Sequence, residues 1–267
     1  GAPPPEGPAI GMAGLSGRSR IDNFAIPMIY PMVRTFAYPA QIEIPLGLDH
    51  NTNNGLIGTD NGSVHSLFAM YPTSPVATIF FGPIDVSATS QYPLGVTYDG
   101  TTVYVTDATG DDVDTYDSIA NYISSFSVAA HTTFPEGIAW NHLNNHLYIV
   151  NGSGSSLVHE FTTAGAHITD YAIPGISPDG LAWDYNRECF WFYDSGTDSI
   201  RQFTPTFTQM SHAEGPIAAG VSRGEGVAVI GDLLYVVAVD DDLVVEFDVA
   251  GARSATGFVF SDGFEWN

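Results

Sequence analysis

The chain has 267 residues, 30 of them acidic and only 7 basic, for a formal net charge of −23. Every basic side chain is arginine, and nowhere do they cluster, so binding to nucleic acid phosphates or docking on an anionic membrane is excluded as a main activity. With 44% hydrophobic residues the chain can bury a full core, and no apolar run approaches the ~18 residues that would span a bilayer.

Residues 1–20 are rich in proline and glycine and read as an arm. Pro3, Pro4, Pro5 and Pro8 lack backbone donors and favour extended chain, and Ile10, Met12 and Leu15 supply apolar contacts. Such a segment suits docking in a groove, either on its own fold or on a neighbouring subunit. A chain opening at Gly1, acidic and without lysine, is expected of a processed protein outside the cell or on its surface. Residues 21–45 carry three strand candidates: Asn23–Ile26, Met32–Phe36 and Gln41–Ile44.

From Leu46 onward the sequence repeats. Leu46-Gly47-Leu48, Leu94-Gly95-Val96, Glu136-Gly137-Ile138, Asp179-Gly180-Leu181 and Glu225-Gly226-Val227 each open a unit. Each is followed by an apolar run such as Leu147-Tyr148-Ile149-Val150, then by a turn and a third run usually ending in Phe. The period of 40-odd residues and the short β-branched and aromatic runs fit four-stranded blades and not helical repeats. The fold expected is all-β, a single β-propeller over residues 21–260 with a tail at 261–267. Six blades are preferred, the sixth built from residues 21–45 and Thr256–Phe260, with five blades as the alternative.

The Pro-Glu/Asp-Gly-Ile/Leu-Ala-Trp motif and the Leu-Tyr-X-Val-Asn/Asp motif that follows it resemble those of NHL-repeat and gluconolactonase-like propellers, over about residues 46–250. In the gluconolactonase family, acidic or amide residues just before such glycines hold one divalent metal at the channel. The resemblance therefore implies ligands at Glu136, Asp179 and Glu225, with Leu46 and Leu94 departing from the pattern. Read from the residues alone, three converging carboxylates also suit a hard cation, Ca²⁺ or Mg²⁺. That family's substrate-binding arginine falls on no motif position here, so lactonase activity is not carried over, and no catalytic residue is assigned.

Other candidates are read more plainly. Asp60, Asp107, Asn151 and Asp194 follow the second strand of four units and suit turn chemistry. An apparent insertion from Asp107 to Tyr122 holds Asp107, Asp111, Asp112 and Asp114, either a solvated acidic loop or a cation site without EF-hand spacing. His142 and His146 flank a hairpin, and Cys189 lies in a strand-like run as a buried thiol. Three functions follow. The preferred one is extracellular assembly into an oligomer or filament through the arm. The alternatives are a secreted propeller that binds a glycan or protein, and a metal-dependent hydrolase or lactonase.

Overall fold

The computed structural model describes residues 26–50, 54–152, 156–174 and 176–255. The arm at 1–20, the strand candidate at 256–260 and the tail at 261–267 lie outside the described residues. The chain is all-β, with two short 3-10 turns at Pro216–Ala219 and Val239–Asp241. Among the described residues no helix is long and apolar enough to cross a membrane.

Among the described residues two strands precede the repeats, β1 (Ile26–Pro27) and β2 (Met32–Ala37). The first blade holds β3 (Pro45–His50), β4 (Leu56–Asn61), β5 (His65–Tyr71) and β6 (Thr78–Asp85). The second holds β7 (Pro93–Tyr98), β8 (Thr102–Asp107), β9 (Asp112–Asp117) and β10 (Tyr122–Ser127). The third holds β11 (Pro135–Asn141), β12 (His146–Asn151), β13 (Leu157–Thr162) and β14 (His167–Ala172). The fourth holds β15 (Pro178–Asp184), β16 (Cys189–Asp194), β17 (Ser199–Phe203) and β18 (Gln209–Glu214). The fifth contributes β19 (Gly224–Ile230), β20 (Leu233–Ala238) and β21 (Leu243–Asp248), and its outer place is taken by β2.

The ring thus has five blades, which corrects the preferred count of six. Of the three early strand candidates, Met32–Phe36 lies in β2 and pairs antiparallel with β21, with Phe36 opposite Val244. Gln41–Ile44 is no strand; it is a turn whose Glu43 and Ile44 amides donate to the Asp60 carboxylate. Ile26 belongs to β1, which lies parallel to β18 at the outer edge of the fourth blade; residues 23–25 lie outside the described residues. Among the described residues no fourfold set remains for another blade, because β2 is used to complete the fifth.

The inner strands β3, β7, β11, β15 and β19 meet at the axis, and only glycine fits there. A Cβ at Gly137 would lie 2.6 Å from the Asp179 carbonyl oxygen and 2.8 Å from the Leu181 nitrogen. The same clash recurs around the ring: Gly47 against Leu94, Gly95 against Glu136, Gly180 against Glu225, and Gly226 back against Leu46. In the first two blades a threonine bridges the joint. Thr59 accepts from the Gly47 amide and donates to the Leu94 carbonyl, and Thr106 does the same between Gly95 and Glu136.

Five apolar clusters fill the five joints between neighbouring blades. Tyr104 and Val113 of the second blade pack on Leu147 and Ile149 of the third, and Trp191 and Tyr193 of the fourth pack on Val227 and Leu234 of the fifth. The middle strands therefore face packing on both sides, which is why β12 and β16 read as unbroken apolar runs. An ionic node clasps the joint between the fourth and fifth blades. Arg187 pairs with Asp184 at 3.1 Å and with Asp232 at 2.5 Å, and donates to the Gly231 and Val249 carbonyls, while Trp191 also donates to Asp184. Cys189 is fully buried, its thiol pushed up by desolvation, in keeping with a structural role.

Gly180→Ala is expected to force apart backbone at the axis and cost about 1–3 kcal/mol, the range for overpacking. Thermal denaturation should show a melting temperature several degrees lower, with Gly251→Ala unchanged because nothing lies near its Cβ position.

Candidate functional site

The residue before each axial glycine is the second of its inner strand or close to it, so its side chain enters the central channel. Leu46 and Leu94 fill one side of the channel, and Glu136, Asp179 and Glu225 line the other. One oxygen from each of the three carboxylates lies within 4.8 Å of the others. The space they share with the strand backbones is about 20 Å³, room for about one water or one bare cation.

These carboxylates are short of partners. Asp179 and Glu225 are 7% exposed, and Asp179 Oδ2 has no hydrogen bond. Arg223 supplies the nearby positive charge: it contacts Glu225 at 2.5 Å and stands 3.8 Å from Asp179, with half of its side chain exposed. Burial first, and then the neighbouring charges of Asp179 and Glu225, push Glu136 up to about 9. Burial and Asp179 push Glu225 up to about 7 against the pull of Arg223, and burial also raises Asp179. Three acids that resist ionising together call for a proton or a cation. The donors are all oxygen, which suits a hard ion. Gly152 contributes by lacking a side chain, since a Cβ there would fall on Glu136 Oε2.

The structure brings the three sequence-predicted ligands into one place. Arg223 was not singled out from the sequence; its signal was the run Arg223-Gly224-Glu225-Gly226, which ties a cation to a channel residue two positions away.

The Asp107–Tyr122 segment is not an inserted loop. Asp107 ends β8 and residues 112–117 form β9, with Val113 to Tyr116 buried. Strand pairing won over the acidic composition because Val113 and Tyr116 fill the joints on either side of the blade. Asp107, Asp112 and Asp114 come within 4.8 Å of one another, whereas Asp111 sits in the turn outside this group. Asp107 is occupied in the turn role expected for it, accepting from the amides of Gln91, Tyr92, Thr109 and Gly110. Asp112 Oδ1 and Asp114 Oδ2 are left unpaired, and burial raises the two acids to about 6 and about 7. Asp60 and Asp194 also hold the loops that lead into the inner strands. His146 pairs with Glu160 at 2.6 Å, and His142 accepts from the Trp183 indole, so both hairpin histidines serve packing.

No protein-family model matches the sequence, and no curated protein matches it. Among solved structures, the chain is similar to glutaminyl cyclase of Myxococcus xanthus, with a TM-score of 0.63 and 13% identity over 84% of this chain and 97% of that one. It is also similar to a chain of a nidogen/laminin complex, with a TM-score of 0.58 and 18% identity over 79% of this chain and 78% of that one. At these identities the likeness concerns the fold, a β-propeller, in agreement with the NHL and gluconolactonase-like pattern of the repeats.

Proposed function

We propose that this chain is a cation-dependent binding propeller, in which Glu136, Asp179 and Glu225 hold one Ca²⁺ or Mg²⁺ in the channel. The observation that carries this reading is a set of three carboxylates around a space of about 20 Å³, in which the buried Asp179 Oδ2 has no hydrogen bond and only the distant edge of Arg223 as counter-charge. When bound, the ion would supply positive charge and open coordination positions. Arg223, half exposed beside the carboxylates, adds guanidinium donors. Together they suit a ligand bearing a carboxylate, such as an acidic glycan or an acidic protein side chain, met outside the cell. The Asp107–Asp112–Asp114 group is a weaker second cation site, because four backbone amides already occupy Asp107.

Calorimetry on chelator-treated protein should show one Ca²⁺ or Mg²⁺ per chain. Glu136→Gln/Asp179→Asn should weaken it by more than the roughly 10- to 100-fold that follows from losing a partner behind a ligand. Retained full affinity in that variant would exclude the channel as the site. Arg223→Gln should tighten the ion, since it removes a competing positive charge.

The raised carboxylates fix a pH dependence. The folded protein holds protons on Glu136 and Glu225 that the unfolded chain releases near its ordinary value of about 4.3. Their contribution is therefore complete below that pH and is lost as pH rises through about 7 and then about 9. The melting temperature of the metal-free protein should fall from pH 5 to pH 9. Saturating Ca²⁺ should flatten the fall, as should Glu136→Gln.

Assembly through the arm is the second reading, favoured by one observation. β1, the first described strand after the arm, already adds itself to the free edge of β18, with the Met28 amide bonded to the His212 carbonyl. A chain that enters along one sheet edge is placed to continue onto a neighbour's edge. Light scattering after size exclusion should then show an oligomer for the whole chain and a monomer near 28.5 kDa once residues 1–20 are removed. A monomer in both cases would end this reading.

A further inference from the structure

The third blade carries a second constellation, away from the channel and unrelated to the acidic motifs. His159 lies on β13, and His167 and Asp170 lie on β14, with His159 directly across from Asp170 in the strand register. His131 reaches the same place from the turn that leads out of the second blade, where its amide is bonded to the Val128 carbonyl. One ligand atom from each of the four lies within 4.8 Å of the others. His159 Nδ1 and His167 Nε2 both meet Asp170 Oδ1 at 2.7 Å. The His131 ring stacks on His167 with centroids 3.6 Å apart, and Phe161 packs edge-on against both rings.

His159 is the informative member. Its side chain is 2% exposed, and its Nε2 has no hydrogen-bond partner. An imidazole buried with one nitrogen fixed by a carboxylate and the other unclaimed costs free energy as it stands. A cation taken up between His159 Nδ1, His167 Nε2 and Asp170 Oδ1 would take the place of the protons these atoms share. Coordination bonds of about 2.0–2.2 Å would draw four donors closer together than 4.8 Å, and exposed His131 and Asp170 are free to make that adjustment.

We propose that His131, His159, His167 and Asp170 form a site for one borderline transition-metal ion, Zn²⁺ by preference, that ties the end of the second blade to the outer strands of the third. Three imidazoles with one carboxylate favour Zn²⁺ over the hard Ca²⁺ or Mg²⁺ suited to the all-oxygen channel. The two sites are therefore separable by metal as well as by residue.

The test is Zn²⁺ calorimetry on chelator-treated, untagged protein, with Co²⁺ absorption as a readout of coordination. The expected result is one Zn²⁺ per chain in the micromolar range or tighter, and a visible Co²⁺ spectrum of the four-coordinate type. His131→Gln and His167→Gln, both on the open side of the group, should each weaken Zn²⁺ at least about tenfold while leaving the circular dichroism unchanged. They keep the test decisive if the buried His159→Gln fails to fold. Glu136→Gln/Asp179→Asn should leave Zn²⁺ binding intact. Absence of Zn²⁺ binding by the wild type overturns the proposal. So does affinity undiminished in a His131→Gln/His167→Gln double variant, or Zn²⁺ binding lost with the channel carboxylates instead.

Discussion

Everything in this molecule depends on how closely five inner strands approach one axis. Where Gly47, Gly95, Gly137, Gly180 and Gly226 face the carbonyl of the next blade, there is no volume for a side chain. That constraint spaces the repeats, fixes the blades as wedges around a narrow channel, and leaves the residue before each glycine to line it. Five residues therefore decide the chemistry of the axis. With leucine at two of them and carboxylates at three, the channel is apolar on one side and short of positive charge on the other.

The carboxylate side is an electrostatic debt within a protein that is already strongly acidic. Burial raises the cost of every negative charge there, and a single arginine answers only part of it. Solvent can reach Arg223 but hardly reaches Asp179, so the uncompensated charge sits deeper than its counter-charge. This separates the channel from the turn aspartates Asp60, Asp107 and Asp194. Those are equally buried, but each is satisfied by backbone amides and acts as a loop fastener.

The blade pattern and the three channel carboxylates were legible because both are local: a glycine, its predecessor and an apolar run sit within a few residues of one another. The blade count was not. Met32–Phe36 reads as any short strand would, and nothing near it says that its partner is β21 instead of a neighbour in sequence. The same holds for β9, where acidic residues at 111, 112, 114 and 117 masked a strand whose buried Val113 and Tyr116 fill two joints. The histidine group was the least visible. It needs a turn from one blade, two strands of the next, and a register shift between Glu160 and Phe161 that brings His167 opposite Phe161. Only Arg223 stood close enough to a recognised motif to have been found.

The use of β2 as the last blade's outer strand has a consequence for biosynthesis. Arg34 bonds to Glu246, 212 positions later. At the usual synthesis rate of about 5–20 residues per second, β2 leaves the ribosome roughly ten to forty seconds before its partner strand exists. During that interval the four earlier blades can form and stack, but the growing arc keeps an open face on each end. The first-made strand must stay unpaired, and away from the free edges of other chains, until the last one arrives. The ring is thus completed from its two ends at once, and only by a chain that has been made to its final blade.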